Sequence, residues 1–320
     1  MVKSVREWSV CCLVLLLASA PPVWPAAVGA EEPDEPESVV QAEEVVVSAT
    51  KTPVPVTQVT SAVEVITAQD MKKQNIRHLA DALRLAQGLA VFSSGGPGTE
   101  VNARIRGGSS NQTLVLIDGA IVNSGTLGSY DFANLTTENI ERVEILRGAQ
   151  SMLWGSDAMG GVINIVTKRG QGPLSATGFM EYGSFATLRE GGTLSGKQGL
   201  VDYSFSLSRW DTSGFSAVNY RRGATERDSF HNWQGSGRIG VDLPRDGRLD
   251  FTMRWMNSDT QLDNVSATFP ADVYGSKMRT QQYVFSGSYE QPITDWWSQK
   301  LTLARSQEAS LFLPGTLQRS

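Results

Sequence analysis

Cysteine and histidine are scarce in this sequence, with two of each among its 320 residues. Both cysteines, Cys11 and Cys12, lie within residues 1–30, so the rest of the chain has no thiol and can form no disulfide. The histidines, His78 and His231, are far apart and have no acidic or histidine neighbour at ligand spacing. We therefore predict structural roles for both histidines.

Clustered positive charge is also lacking. The formal net charge is -5, and no run of basic residues is longer than two. Because phosphate recognition needs several cations on one surface, we expect no nucleic-acid partner. The sequence also has no Walker loop, no dinucleotide-binding glycine pattern and no nucleophile elbow, so we expect no enzymatic activity.

No hydrophobic run reaches the roughly 20 apolar residues that a transmembrane helix needs. The apolar segment 10–20 follows Lys3 and Arg6, and it precedes several prolines and the small residues Val28-Gly29-Ala30. A basic start, a short apolar segment and a small-residue cleavage site are typical of a secretory signal peptide. We assign residues 1–30 to a signal peptide; the alternative, a membrane anchor, is disfavoured by the prolines.

The segment that follows is acidic and rich in proline, and we predict that residues 31–42 form a disordered spacer. Next comes a β-branched run, Glu43-Glu44-Val45-Val46-Val47-Ser48-Ala49. This run favours an extended strand but has no neighbouring segment with the turn chemistry to pair with it locally. We expect it to add to the sheet edge of another protein; the alternative is an edge strand of the following domain.

Residues 50–170 combine helix and strand patterns. Thr67-Ala68-Gln69-Asp70 is a capping box that predicts a helix start, and residues 78–86 predict a second helix that ends at Gly88. Apolar runs separated by glycine-rich turns predict strands at residues 63–66, 89–92, 101–105, 114–117, 143–146 and 162–166. The sequence therefore predicts a compact α+β domain with its own core.

Residues 171–320 follow a different pattern, in which apolar and polar residues alternate. In residues 201–208 every odd position is apolar and every even position is polar. Further segments of this kind lie near residues 176–182, 186–196, 232–243, 249–255, 283–289 and 297–303. The total of about seven segments, with short turns alternating with long polar loops, is typical of transmembrane β-strands. A soluble antiparallel sandwich is the alternative.

Tryptophans near the strand ends fit an aromatic girdle at the membrane interface. They are Trp210, Trp255, Trp296 and Trp297.

The order of these parts resembles the TonB-dependent outer-membrane receptors. Glu44–Ala49 looks like their TonB box. Four further motifs resemble their plug domain, and they read NARIRG at 102–107, LVLIDG at 114–119, IERVEILRG at 140–148 and SMLWGSDAMGGVINIVTK at 151–168. Trp154 stands where the family more often has tyrosine. The resemblance extends from about residue 43 onward and is specific because the motifs occur together and in order.

The resemblance implies a fold class: an α+β plug domain, residues 50–170, followed by antiparallel strands of a transmembrane β-barrel. A complete barrel would have about 22 strands, so residues 171–320 are expected to form an incomplete, truncated N-terminal part with about seven strands.

The resemblance also implies a location and partners. We expect the cell outer membrane of a Gram-negative-type bacterium, contact with outer-membrane lipid, and capture of residues 43–49 by periplasmic TonB through β-strand addition. The expected cargo is cobalamin or a ferric siderophore. The alternatives are a passive outer-membrane channel, or a receptor for haem, another metal complex or an oligosaccharide.

Two glycine- and serine-rich loops are the predicted cargo contacts, because their backbone can approach a bulky ligand. The residues are Pro97, Gly98, Thr99, Gly125, Thr126, Leu127, Gly128, Ser129 and Tyr130. The alternative is that they are ordinary turns.

Charged residues suggest two further features. The family resemblance implies that Arg106 and Arg147 of the plug pair with barrel glutamates, for which Glu181 and Glu190 are the candidates by position. The alternative is solvated surface charge. The loop aspartates Asp211, Asp228, Asp259 and Asp263 are a weaker hypothesis for calcium binding, and no other cofactor is expected.

Overall fold

The computed structural model describes residues 46–47, 49, 54–55, 61–216, 221, 227–263, 273–294, 296–314 and 316–317. The predicted signal peptide and spacer lie outside these residues, as do Glu43, Glu44, Val45 and Ser48 of the predicted box. Residues Glu44–Ser320 belong to one compact unit. Within the described part of the chain, no helix is long and apolar enough to cross a membrane.

The first part of this unit is an α+β domain, which we call the plug. Its strands are β1 (Val46–Val47), β2 (Val54–Pro55), β3 (Ala62–Thr67), β4 (Leu89–Ser93), β5 (Val101–Ile105), β6 (Thr113–Ile117), β7 (Ala120–Ile121), β8 (Ile140–Arg147) and β9 (Gly161–Thr167). Its helices are α1 (Ala68–Lys73), α2 (Leu79–Leu85) and α3 (Ser151–Trp154). Five strands form one sheet in the order β3-β8-β9-β6-β7, in which β6 and β9 are parallel.

Local sequence determines where α1 begins. The Asp70 backbone N–H donates to Thr67 Oγ1 at 3.2 Å, and the Thr67 backbone N–H donates to Asp70 Oδ2 at 3.1 Å. The hydrogen bond from the Thr67 hydroxyl lowers the pKa of the Asp70 carboxyl. The predicted capping box is therefore confirmed.

Apolar residues cover both faces of the five-stranded sheet. On one face Val115, Ile117 and Ile145 join the large core cluster that also contains Leu79 and Leu83 of α2. On the other face a smaller cluster comprises Ala49, Leu114, Leu116, Leu146, Ala158 and Val162. Burial on both faces explains the nearly continuous apolar runs in β6 and β9, and each large buried side chain stabilises the fold by about 1.5–3 kcal/mol.

The second part is a seven-stranded antiparallel sheet, which we call the wall. Its strands, in both chain and spatial order, are β10 (Ser175–Gly183), β11 (Thr187–Gln198), β12 (Val201–Thr212), β13 (Phe230–Leu243), β14 (Gly247–Gln261), β16 (Lys277–Thr294) and β17 (Trp297–Leu313). A separate pair consists of β15 (Val273–Tyr274) and β18 (Thr316–Leu317). The predicted set of about seven strands is confirmed.

The two faces of the wall differ in polarity, as the alternation predicts. Phe205, Phe251 and Phe285 lie on the outer face and expose 43%, 55% and 46% of their surface. Ser204, which neighbours Phe205 in sequence, is completely buried on the inner face against the plug. The wall therefore presents an apolar outer surface and a polar inner surface.

Trp210 does not belong to the predicted girdle. Its ring packs against that of His78 of the plug, tilted by 41° with 4.0 Å between centroids, and it contacts Phe230 edge-on at 4.8 Å. Trp210 has the same parity as Ser204 and Ser208, so the strand turns it inward. Trp233, which was not predicted, lies on the outer face and is 38% exposed.

The inner face of β13 binds an irregular plug segment through polar side chains. Asn232 Nδ2 donates to the Asn134 carbonyl oxygen at 3.1 Å. Further along β13, Gln234 donates to Thr136, Ser236 accepts from Asn139, and Arg238 donates to the Thr167 carbonyl. Because β13 residues two apart share a face, the plug segment meets one continuous polar row.

The connection between plug and wall is fixed in place. The Lys168 backbone N–H donates to the Asn139 carbonyl at 3.0 Å, and the Lys197 N–H donates to the Gly172 carbonyl at 2.7 Å. Between these bonds, a Cβ atom added to Gly170 would lie 2.2 Å from the carbonyl oxygens of both Gly196 and Tyr203. Only glycine therefore lets the linker pass this close to the wall.

We expect Gly170→Ala to destabilise the protein by about 1–3 kcal/mol, because the backbone atoms that the new Cβ would meet cannot move aside as a flexible side chain can. Thermal unfolding of the detergent-folded chain would show this as a lower midpoint. Gly178→Ala is the matched control, because its added Cβ would lie 3.7 Å from the Gly191 oxygen, an ordinary contact. Equal midpoints for the two variants would contradict the tight fit.

Candidate functional site: the apical loops and the attachment of the box

The first predicted cargo loop lies at the end of the wall from which the long connections leave. Thr260 Oγ1 donates to the Gly98 carbonyl at 3.2 Å, and Thr260 is close to the end of β14. Gly98 has φ +80°, and an added Cβ would lie 2.2 Å from the Phe230 ring. Gly98 is thus a contact between plug and wall. Pro97 and Thr99 are only half-buried and remain accessible.

The second predicted loop is split between surface and interior. Leu127 is 68% exposed, and Gly125 and Thr126 beside it are also exposed. Tyr130 is 5% exposed; its hydroxyl donates to Gln282 Oε1 of the wall at 3.4 Å, and burial raises the pKa of its phenol to about 12. The prediction that Tyr130 offers an apolar surface to cargo is therefore wrong, because its ring fills the space between plug and wall.

An exposed aromatic pair that the sequence did not predict lies at the same end. Phe185 and Phe215 are 51% and 49% exposed, and their ring centroids are 5.7 Å apart. The Ser213 backbone N–H donates to the Phe185 carbonyl at 2.9 Å, which joins the two loops. Gly96 of the first plug loop would bring a Cβ to 3.9 Å from the Phe215 ring. The two rings therefore form an apolar surface next to the plug loop.

Phe185 and Ala186 have φ values of +58° and +50°, in the left-handed region that glycine or asparagine usually occupies. A large aromatic residue in such a turn is strained, and strain of this kind concentrates at functional positions. The sequence does contain a signal for this strained turn: a phenylalanine lies between Ser184 and Ala186, where a hairpin turn normally has glycine.

The predicted latch has different partners in the structure. Arg147 Nη1 pairs with Glu64 Oε2 of the plug itself at 3.2 Å. Glu181 instead pairs with Arg77 at 2.6 Å, and Glu190 pairs with Arg209 at 3.8 Å. The cause is the orientation of the plug sheet. In the ladder between β8 and β9, Arg147 lies opposite Gly161 at one end of the sheet, whereas the wall contacts the other end of the sheet, at Thr167.

Arg106, the other predicted latch residue, is exposed. No carboxylate among the described residues lies within ion-pair distance of it.

The Arg77–Glu181 pair joins plug and wall, and two wall arginines make further ion pairs of this kind. Arg189 of β11 pairs with Glu138 of the plug as well as with Glu181, and Arg238 of β13 pairs with Asp118 of the plug at 3.3 Å. Burial, reinforced by Arg189 and Arg84, lowers the pKa of His78 to about 3, so this histidine is neutral where it packs against Trp210. A structural role for His78 agrees with this position.

The four aspartates predicted for calcium are not gathered into one cluster, and two of them lie in strands rather than loops, Asp211 in β12 and Asp259 in β14. Asp211 pairs with Arg209 and with His231, and Asp259 pairs with Arg279. His231 therefore does have an acidic neighbour, contrary to the prediction, because cross-strand pairing joins residues 20 positions apart. Within the described residues no group of three metal-ligating side chains is found. Calcium binding at Asp211, Asp228, Asp259 or Asp263 stays a prediction.

The end of the predicted box is attached to the second face of the plug sheet. The Ala49 backbone N–H donates to Glu144 Oε2 at 2.9 Å, and Trp154 Nε1 donates to the Ala49 carbonyl at 2.8 Å. Glu144 is completely buried and also accepts hydrogen bonds from Arg142 and Asn164 at 2.9 Å. A tryptophan at position 154 thus supplies the donor that holds the backbone of Ala49.

The prediction that the box has no local partner is wrong. Val46 and Val47 pair antiparallel with Pro55 and Val54. Proline lacks a backbone donor but is tolerated at the edge of a ladder, where its nitrogen faces outward. The pairing spans only two residues on each strand, so it stabilises the segment little.

Comparisons with known proteins agree with this geometry. The family model described as TonB-dependent Receptor Plug Domain matches residues 55–162. A vitamin B12 transporter BtuB from Photobacterium profundum is 30% identical over 221 residues, which are 68% of this chain and 36% of that protein. A vitamin B12 transporter BtuB from Vibrio cholerae serotype O1 is 38% identical over 126 residues, which are 39% of this chain and 21% of that protein. The chain thus spans about a third or less of these relatives.

Two solved structures show the same fold. The siderophore receptor PirA from Acinetobacter baumannii has a TM-score of 0.62 and 21% identity, covering 81% of this chain and 42% of that one. The ferripyoverdine receptor of the outer membrane of Pseudomonas aeruginosa has a TM-score of 0.67 and 19% identity, covering 82% and 36%.

The plug domain, followed by strands of a plugged barrel, defines the class. The chain belongs to the TonB-dependent outer-membrane receptors, a family of receptors and transporters.

We expect Gly98→Ala to lift the first plug loop away from the wall, because the new methyl group would overlap the Phe230 ring and the positive φ would be strained. Hydrogen exchange of the backbone amides in residues 94–100 should become faster by about tenfold. Gly125→Ala is the control, since nothing lies within 4 Å of its added Cβ. Unchanged exchange in Gly98→Ala would show that the contact with Phe230 does not hold the loop.

Trp154→Phe should weaken the attachment of the box, because phenylalanine keeps the ring but cannot donate to the Ala49 carbonyl. The loss is about 1 kcal/mol. A spin label at Val46→Cys should then become more mobile, whereas Trp233→Phe on the outer face should leave its mobility unchanged. Identical spectra for Trp154→Phe and the parent would contradict a holding role for the indole.

Proposed function

We propose that this chain forms the plug and first wall strands of an energised importer in the bacterial outer membrane. The importer takes up a bulky metal complex and is driven by TonB through residues 43–49. The attachment of Ala49 to the plug carries this proposal, because it connects the valine-rich segment directly to the domain that fills the wall. A transporter needs no catalytic group, in agreement with the absence of an enzymatic motif from the sequence.

The box segment is suited to exchange from a local partner to another protein. Its pairing with Val54–Pro55 covers two residues, and a two-stranded sheet leaves one edge of each strand open. Backbone hydrogen bonds to a TonB strand would replace this short ladder with a longer one. Such bonds transmit a pull from the partner to Ala49 and then to Glu144 and Trp154.

Cobalamin is the first candidate cargo. The curated relatives with 30% and 38% identity are vitamin B12 transporters, and the exposed Phe185, Phe215 and Leu127 offer apolar contact to a large ring system. A ferric siderophore is the second candidate, supported by the fold shared with siderophore receptors. The polar inner face of the wall and the plug against it argue against a passive open channel.

We expect Val47→Pro to abolish uptake while leaving cargo binding intact, because proline removes a backbone donor that strand addition to TonB requires. The measurement is uptake of radiolabelled cyanocobalamin and of radiolabelled ferric enterobactin by cells producing the full-length receptor, compared with binding to energy-depleted cells. Val47→Ala, which keeps the donor, is the matched control. Retained uptake by Val47→Pro, or uptake that survives a protonophore, would contradict energised import.

A further inference from the structure

Arg254 of β14 is a buried cation between the plug and the wall. Its side chain points to the inner face, and the residue is 7% exposed. One guanidinium nitrogen donates to Gln234 Oε1 at 2.6 Å, but Nε is buried without any hydrogen-bond partner. Among the described residues no carboxylate lies within ion-pair distance. The guanidinium charge is therefore held only by neutral groups.

Other wall arginines that face the plug are paired differently. Arg189 is paired with Glu138, and Arg238 with Asp118 and Asp250. Both plug carboxylates that act on Arg254 at longer range, Glu138 and Asp118, are thus already engaged by another arginine. Arg254 alone of these three lacks a counter-ion in the resting arrangement.

A buried guanidinium without an anion is costly, and a neutral side chain of similar size would pack at lower free energy. Packing between plug and wall therefore does not explain why an arginine occupies this position. An anion that reaches the guanidinium during the working cycle would explain it, because charge-assisted hydrogen bonds are stronger than neutral ones.

The position of Arg254 fits such a transient partner. On the same strand, Thr260 contacts the first plug loop at the cargo-facing end, and Asp250 meets the Arg238–Asp118 pair toward the other end. Arg254 lies between these contacts, opposite the buried Tyr130 of the second plug loop. A cargo group that moves from the apical loops into the interface between plug and wall would therefore reach this guanidinium next.

We propose that Arg254 is a binding point, inside the interface, for an anionic group of the cargo, such as a phosphate, carboxylate or catecholate oxygen. The guanidinium receives this group when the plug is displaced, and it guides the cargo from the apical loops toward the periplasm. The inference rests on the proposed import function but is independent of how the apical loops recognise the cargo.

The test is the rate of energised uptake by the full-length receptor carrying Arg254→Gln, Arg254→Lys or Arg279→Gln. The probes are cyanocobalamin, which bears a phosphodiester, and ferric enterobactin, which bears catecholate oxygens. For whichever probe the parent transports, Arg254→Gln should lower the maximal rate by about tenfold. Binding to energy-depleted cells should be unchanged. Arg254→Lys should restore most of the rate because it restores the charge, and Arg279→Gln, on the outer face, should have no effect.

The outcomes separate the two proposals. If the parent transports neither probe under energised conditions, the proposed import function fails. If the parent transports a probe and Arg254→Gln does so at the same maximal rate, the anion-binding role fails while import stands. A loss that Arg254→Lys does not repair, together with increased leakage of a small antibiotic through the receptor, would show that Arg254 only seals the interface and would overturn the proposal.

Discussion

The structure depends on the fit between the polar inner face of the wall and the irregular flank of the plug. Strands with a period of two place every second residue of β13 toward the plug, and these residues supply amides, a hydroxyl and a guanidinium. The plug segment 134–139 presents the carbonyl of Asn134 and the side chains of Thr136 and Asn139, and the wall provides hydrogen-bond partners for these groups. An apolar inner face would have left those groups unsatisfied at a cost of about 1–3 kcal/mol each.

This polar interface also explains how a stable domain can remain displaceable. Polar contacts between plug and wall can be replaced by water with a small net change in free energy, whereas apolar contacts cannot. The large core cluster lies between the plug sheet and α2, and among the described residues Val284 of β16 is its one member from the wall, so opening the interface removes only this side chain from the core. The ion pairs of Arg189 and Arg238 define where the two parts are joined.

The sequence predicts the regular parts of this architecture better than their contacts. Alternation in residues 201–208 and its repeats identifies the wall strands and the face of each residue, and the parity of Trp210 already placed it inside. The latch partners were wrong because no local pattern shows which end of the plug sheet meets the wall. Phe185 was missed because it occupies a strained turn that ordinary turn preferences do not favour.

The short ladder between β1 and β2 has a mechanical consequence. Its two strands are antiparallel and adjacent in the chain, so traction applied at the N-terminal side loads the hydrogen-bonded pairs one after another, as in peeling. Peeling requires far less force than sliding two strands past each other, where all bonds bear load together. The β1–β2 ladder would therefore separate at a low force. The force needed for further extension would then rise abruptly at the hydrogen bonds that join Ala49 to the Trp154 indole and the Glu144 carboxylate.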